Sequence, residues 1–450
     1  MGMSDSIRAL MERITSTMSE KEFFESEIAR WKGSEERRNM IDGERYFRGE
    51  HDILKEERTV IGKDGRLKKV DNLPNNHIVD NQYQRLVNQK VNYLMGRPMS
   101  FDGENELYVK TVRKVLGKDF QRNLKCIMRD SINMGISWVY VYTDEKGNFR
   151  MKRIPAYEII PFWTDSEHTS LDRAVRIYQI EGYRGKRECV REMVEIYSKD
   201  KVEIFEYEDG TLVKEEEHNI EEGRIPLVAF KYNEKEIPLI KRVKSLQDAL
   251  NKTVSDFENT IQQDAGNTVL VLQNYDGTDL GEFRHNLSVY NAVKVRSVDG
   301  TPGDIKTLDM SVDTKNFTEM ISLLKSEMTE NAMGYDPKSD ILGNNPNQLV
   351  VRSMLSDLEL DASEIEVEFS YAFTCLKEFV DLYLEKMGYG YFEEEELVPV
   401  FNRDTPVNEG EIIENCIKSM EILSEETVLI KHPWVGDVKR ELERKRCKNG

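Results

Sequence analysis

The sequence predicts an α+β protein, and three observations carry that prediction. A β-rich run, Trp138-Val139-Tyr140-Val141-Tyr142, opens a series of short apolar segments separated by charged turns. From Leu239 to Ile261 apolar residues recur at steps of three and four, the signature of one helical face. From Leu349 to Met387 the same period continues for roughly 40 residues, about 60 Å of straight helix. An element that long usually spans layers of an assembly rather than one small domain.

Residues 4–48 read as a helix, with Ile7, Leu10, Met11 and Ile14 on one face, then a charged stretch through Arg38 and a cap at Gly49. A charged loop with Gly62 and Gly65 leads to Asn75-Asn76-His77-Ile78-Val79-Asp80. The next helix carries Leu86, Val87, Val91 and Leu94 and is stopped by Gly96 and Pro98. Residues 105–135 predict two more helices. After Trp138–Tyr142 come a turn at Asp144–Asn148, a return strand, and β signals at Ala174–Ile180, Met193–Tyr197, Val202–Tyr207 and Leu227–Phe230, which together make an antiparallel sheet.

The Pro238–Asp264 helix presents Leu239, Val243, Leu246, Leu250, Val254, Phe257 and Ile261 on its apolar face. A short β-like module broken by Gly277, Gly281, Gly300 and Gly303 follows, from Thr268 to Ile305. A second helix starts near Asp313, a candidate N-cap, with Phe317, Met320, Ile321, Leu324 and Met328 on one face, and ends at Gly334. The stripe of the long helix is Met354, Leu358, Ala362, Ile365, Phe369, Phe373, Leu376, Val380, Tyr383 and Met387. An acidic run, Glu393–Glu396, a strand at Val398–Phe401 and two amphipathic helices around Ile412–Leu423 and Val438–Lys445 complete the reading.

At 450 residues the chain can build about two to three domains. No apolar run reaches the ~18 residues a membrane span needs, and the polar start predicts a cytosolic protein. Cys126, Cys189, Cys375, Cys416 and Cys447 lie far apart and predict reduced thiols. None of the six histidines sits within five residues of another, and no HExxH or Cys/His cluster marks a zinc site. Gly182-Tyr183-Arg184-Gly185-Lys186 has two residues between its glycines where a phosphate loop has four, so it reads as a turn. No GxSxG is present, and Asp276–Asp279 with Glu282 lacks calcium-loop spacing. No catalytic, metal or cofactor residue is predicted. The net charge of −19 lacks the basic signature of a chain that grips nucleic acid.

This order of elements resembles the phage portal proteins, in the branch found in tailed siphophages of Gram-positive bacteria. The residues that carry the resemblance are Asn75–Asp80 with Asn92-Tyr93-Leu94-Met95-Gly96-Arg97-Pro98-Met99-Ser100-Phe101, then Pro155–Pro161 and Gly223–Val228, and finally Phe401-Asn402-Arg403 with Ser424-Glu425-Glu426-Thr427. Two departures stand out. Asn347–Val351 replaces a start of the long helix usually rich in small residues, and the C-terminal region is short.

The resemblance implies a portal-like subunit: an α+β wing (1–238, completed by 388–408), stem helices at 239–264 and 313–334, a small β-containing clip at 265–312, a tunnel loop at 335–348, a long helix at 349–387, and a short helical crown at 409–450. It implies a non-enzymatic ring, dodecameric in this family, at one capsid vertex of the virion, assembled in the bacterial host cytoplasm. A separate terminase large subunit would pump double-stranded DNA through it. Major capsid, scaffolding and head-completion or adaptor proteins would be further partners, with no membrane. Twelve copies would carry roughly −230 formal charges, a wall that DNA slides past. Lys325, Lys338, Asn344 and Asn345 are the candidate channel contacts. The competing readings are a non-phage homo-oligomeric scaffold, which predicts longer regular heptads, and a nucleic-acid-processing enzyme, which predicts acidic metal ligands or a phosphate loop.

Overall fold

The computed structural model describes residues 18–61, 65–69, 73–184, 187–220, 223–264, 269–273, 304–308, 314–336, 348–392, 394–403, 409–420, 422–435, 438, 441–442 and 444–445. The chain runs through α1 (Glu20–Gly33), α2 (Glu35–Phe47), β1 (Thr59–Ile61), β2 (Leu67–Lys69), α3 (Gln82–Met95), β3 (Ser100–Asp102), α4 (Glu106–Leu116) and α5 (Phe120–Met134). Nine strands and helices of the middle follow: β4 (Ile136–Thr143), β5 (Phe149–Ile154), β6 (Ile159–Trp163), β7 (Leu171–Arg184), β8 (Arg187–Tyr197), β9 (Lys201–Glu208), β10 (Thr211–Asn219), β11 (Leu227–Lys231) and α6 (Ile240–Asp264). The last are β12 (Val269–Gln273), β13 (Asp304–Leu308), α7 (Thr314–Asn331), α8 (Gln348–Lys386), β14 (Val398–Val400), α9 (Glu409–Ser419) and α10 (Glu425–Lys431). The α+β class is as the sequence predicts.

Two compact units divide these elements. One draws on residues 1–49, 81–244 and 328–450, the other on 50–80 and 245–327. In the first, an antiparallel sheet is ordered β10-β9-β8-β7-β6 and a second is ordered β11-β4-β5. Alternation along β7 and β8 sends Val175, Ile177, Val194 and Ile196 to one face, where they bury Phe24 and Ile28 of α1. Ala174 and Tyr197 point the other way, into a core with Trp138, Ile154, Ile159 and Leu227. Each large side chain buried there contributes about 1.5–3 kcal/mol. β3 pairs with the distant β14, with Phe101 opposite Pro399.

The N-terminal segment is two helices where the periodicity predicts one. Ser34 takes an extended conformation (φ −70°, ψ 152°), and its hydroxyl accepts from Arg37 N to cap α2. The turn lets the Trp31 indole N–H reach Tyr157 O at 3.0 Å. Gly43 then permits α2 to cross α5, because a Cβ there would lie 1.8 Å from the Asn133 carbonyl oxygen. Residues 4–17 of the expected helix lie outside the described residues.

The long helix α8 buries Leu355, Leu358, Ala362, Ile365, Phe369, Ala372, Phe373, Leu376, Val380 and Leu384. Phe369 and Phe373 meet Phe230 edge-on at centroid distances of 5.2 and 5.5 Å, and Phe101 and Phe120 close around Phe373. The two ends of the predicted stripe shift, since Leu355 and Leu384 are buried while Met387 is 40% exposed. Past α8, the helix predicted through Leu423 ends at Ser419, and Ser424 caps a separate α10 through its hydroxyl. Of the predicted Val438–Lys445 helix, residues 439, 440 and 443 lie outside the described residues, and the other five are helical.

Candidate functional site

The second unit is organised around α6, whose apolar face was legible and whose other buried face was not. Phe257 stacks on Phe317 of α7 at 4.9 Å. About a third of a turn from the apolar face, Gln247, Asn251, Ser255 and Asn259 are all buried, although every one is polar. They recur every fourth residue and meet an extended segment, residues 76–80. Asn259 Oδ1 accepts from Asn76 N at 2.8 Å, Ser255 Oγ from Ile78 N at 2.9 Å, and Asn251 Oδ1 from Asp80 N at 3.1 Å. Gln247 Nε2 donates to Asp80 O at 2.8 Å. Four helical residues rise about 6.0 Å and two extended residues about 6.6 Å, so three successive rungs stay in step.

The ladder also orients its own amides. Asn251 Oδ1 already accepts from Asp80 N and from Gln247 Nε2, so its Nδ2 donates to Nδ1 of the fully buried His51 at 2.7 Å. The hydrogen-bond pattern therefore leaves His51 Nδ1 without a proton.

Asp80, at the end of the ladder, holds Lys325 of α7 with Nζ to Oδ2 at 2.7 Å; the side chains are 27% and 40% exposed. Of the predicted channel contacts, Lys325 is thus already engaged by a carboxylate of its own chain. Lys338, Asn344 and Asn345 lie outside the described residues.

The first unit has a buried ionic node at the roots of α6 and α8. Lys90 of α3 and Asp361 of α8 pair at 2.7 Å, each side chain 1% exposed. The Tyr232 hydroxyl donates to the same carboxylate at 2.9 Å, and Arg242 of α6 lies 3.6 Å from it. Burial pushes the Lys90 ammonium pKa down, and the Asp361 charge opposes that push. Burial, then the Asp361 charge, drives the Tyr232 phenol well above its ordinary value. Lys90 Nζ also donates to Met333 O at 3.2 Å, just past α7.

Two more α3 side chains stitch down the same segment. Gln89 bonds the Tyr335 backbone at both its N–H (3.0 Å) and its carbonyl (2.8 Å), and Arg85 reaches Asp336 at 3.2 Å. Gly334 fits because a Cβ there would sit 2.6 Å from Leu86 Cδ2. The chain leading into residues 337–347 is therefore gripped by one face of α3. Sequence reasoning missed this node, but a signal was present: Lys90 falls on the stripe of Leu86, Val87, Val91 and Leu94.

Among the described residues no group of three His, Cys, Asp or Glu could hold a metal ion, and no helix is long and apolar enough to cross a membrane.

In both units the buried polar groups fix one element against another, which is the chemistry of a structural subunit. A family model described as phage portal protein, SPP1 Gp6-like, matches residues 31–447, and the chain belongs to that family. It is 26% identical over 425 residues to the portal protein of Bacillus phage SPP1, covering 90% of this chain and 82% of that one. It is 26% identical over 420 residues to the portal protein of Clostridium phage phiCD119, covering 89% and 90%. It is also similar to a chain in a solved neck of a native GTA particle computed with C12 symmetry, with a TM-score of 0.43 and 12% identity over 78% of this chain and 89% of that one. The family is one of structural, head–tail connecting proteins.

Proposed function

We propose that this chain closes into a ring, of twelve copies as the family resemblance implies, at the portal vertex of a tailed-phage virion. A separate terminase packages double-stranded DNA through the channel, the DNA leaves by the same route, and head-completion proteins dock on the ring. The observation that carries the assembly is a second apolar stripe on α8. Leu360, Val367 and Tyr371 are 64%, 68% and 44% exposed, on the side away from the Phe369–Phe373 core. On α7, Met320 and Leu323 are likewise exposed. Ring closure needs heterologous contacts between unlike faces, and these stripes supply uncovered apolar surface for them.

In this reading α6 and α7 are the stem helices, residues 265–312 the clip, 335–348 the tunnel loop, and 409–450 a small crown. The wing is 1–238 with 388–408. Lys325, Lys338, Asn344 and Asn345 are the proposed channel contacts. With Asp80 beside it, Lys325 attracts a phosphate less than a lone cation would, and screening over about 8 Å keeps that attraction short-ranged. Assembly takes place in the host cytoplasm. Electron microscopy of the purified protein tests the assembly, which predicts rings with a channel wide enough for duplex DNA. A persistent monomer with nuclease activity would sink it. Lys338→Glu tests the channel: rings form normally while DNA packaging changes, and a failure to assemble would make Lys338 interfacial instead.

A further inference from the structure

The cleft between α2, α5 and β5 is about 360 Å³ and is lined by Glu44, Phe47, Arg48, Arg129, Asp130, Asn133 and Arg153, among others. Two of its three arginines are committed. Arg48 pairs with Glu44 and Arg153 with Asp130. Arg129 is different. Its guanidinium lies over the Phe47 ring, 5.5 Å from the centroid, and its buried Nε has no hydrogen-bond partner. Among the described residues no carboxylate lies within ion-pair distance of it. This half-buried guanidinium makes no hydrogen bond among the described residues, a costly arrangement that an oxyanion reaching its outer N–H groups would relieve. Burial pushes the neighbouring Asp130 carboxyl pKa up, against the pull of Arg153 and, more weakly, of Arg129 itself.

We infer that this cleft receives an acidic side chain from a second copy of the chain; the inference rests on the ring reading and names one contact within it. Charge selects the occupant. Each copy carries 83 acidic residues against 64 basic ones, so a neighbouring surface is rich in carboxylates. The cleft has room for a carboxylate together with its aliphatic stem. Glu44 and Asp130 line the cleft and disfavour a nucleic-acid strand, which brings a row of phosphates where a side chain brings one charge. A carboxylate bound there gains the planar two-point contact that guanidinium offers.

The test measures ring formation against protein concentration by mass photometry for the full chain, Arg129→Gln and Arg129→Lys. Arg129→Gln is expected to raise the concentration needed for rings about tenfold to a hundredfold, with Arg129→Lys between it and the wild type. Thermal unfolding of the monomer should change little, because among the described residues Arg129 makes no hydrogen bond or ion pair and gives up only its contact with the Phe47 ring. In Arg129→Lys rings, carbodiimide treatment should couple the introduced amine to an aspartate or glutamate of another copy, read as an inter-copy peptide pair by mass spectrometry. Wild-type rings that Arg129→Gln leaves unaffected, with no such coupling, overturn the assignment alone. So does an inorganic phosphate titration that raises the wild-type monomer's Tm but not that of Arg129→Gln while ring formation stays equal, which would mark a free-anion site. A wild-type chain that never forms rings overturns the ring reading, and this inference with it.

Discussion

Replacing Lys90 by methionine isolates the buried node. Methionine has nearly the length of lysine, so the packing between α3 and α8 survives while the charge and its hydrogen bonds disappear. Asp361, 1% exposed, then keeps the Tyr232 hydroxyl at 2.9 Å and Arg242 at 3.6 Å. Removing one partner of a buried pair costs about 3–5 kcal/mol. Arg242 compensates in part because it is close and 32% exposed, which puts the expected loss near the lower end, about 3 kcal/mol. Met333 O loses its donor as well, so the Met333–Asp336 segment should open more often. The paired change Lys90→Met with Asp361→Leu removes both charges and leaves the Tyr232 hydroxyl without its acceptor, at a cost of about 1–3 kcal/mol. Urea unfolding of the full-length single variants and the double variant gives the coupling, and hydrogen exchange at Gly334 and Tyr335 reads the local opening. Lys90→Met within 1 kcal/mol of wild type, or a double variant as unstable as the sum of the singles, would show that the pair does not hold this junction.

Ser255→Ala removes the middle rung of the ladder and leaves Ile78 N–H without an acceptor, for an expected loss of about 1–3 kcal/mol. Faster exchange confined to the 76–80 backbone is the readout, and unchanged exchange there contradicts the ladder. Gly43→Ala forces α2 away from the Asn133 carbonyl and should cost more than the ~1–3 kcal/mol of ordinary overpacking, measured as a fall in Tm. Asp165 supplies the pH dependence. Burial pushes its carboxyl up but is outweighed by bonds from the Thr169, Ser170 and Glu167 amides and the Thr169 hydroxyl, which bring it down from 3.8 to about 2. Its contribution is therefore complete above about pH 4 and is lost as the pH falls through about 2. Solvent screening keeps that contribution below about 1 kcal/mol. Asp165→Ala should flatten this part of the acid-unfolding profile, and an unaltered profile would assign the dependence elsewhere.

The elements legible in the sequence are those in which one physical period dominates. α6, α7 and α8 each show a 3.6-residue apolar repeat, and β4 and β7–β9 combine aromatic and β-branched residues with charged turns. β10 was silent because its outer face is a solvated edge: from Lys214 to Glu217 it presents only charged side chains. The break at Ser34 was hidden by charged residues with favourable helix propensity on both sides. The pairing of β3 with β14 joins residues nearly three hundred positions apart, and nothing local encodes it. Of the candidate site, Lys325 was visible as a cation on a stem-like helix. Its partner Asp80 was not, because the extended segment carrying it is held by a polar stripe of α6 that reads as a solvent face. A neutral row of Gln, Asn, Ser and Asn without lysine or glutamate was the available clue.

The sequence by itself determined the class, the order of elements and the family resemblance, since hydrophobic period, turn residues and motif order are written along the chain. Tertiary structure alone decided which polar residues are buried and what they hold. Gln247, Asn251, Ser255 and Asn259 become a ladder only when residues 76–80 lie against them, and Lys90 becomes a structural cation only when Asp361 arrives from α8. A polar side chain has the same identity in water as in a core, and only the partner brought by folding tells the two apart.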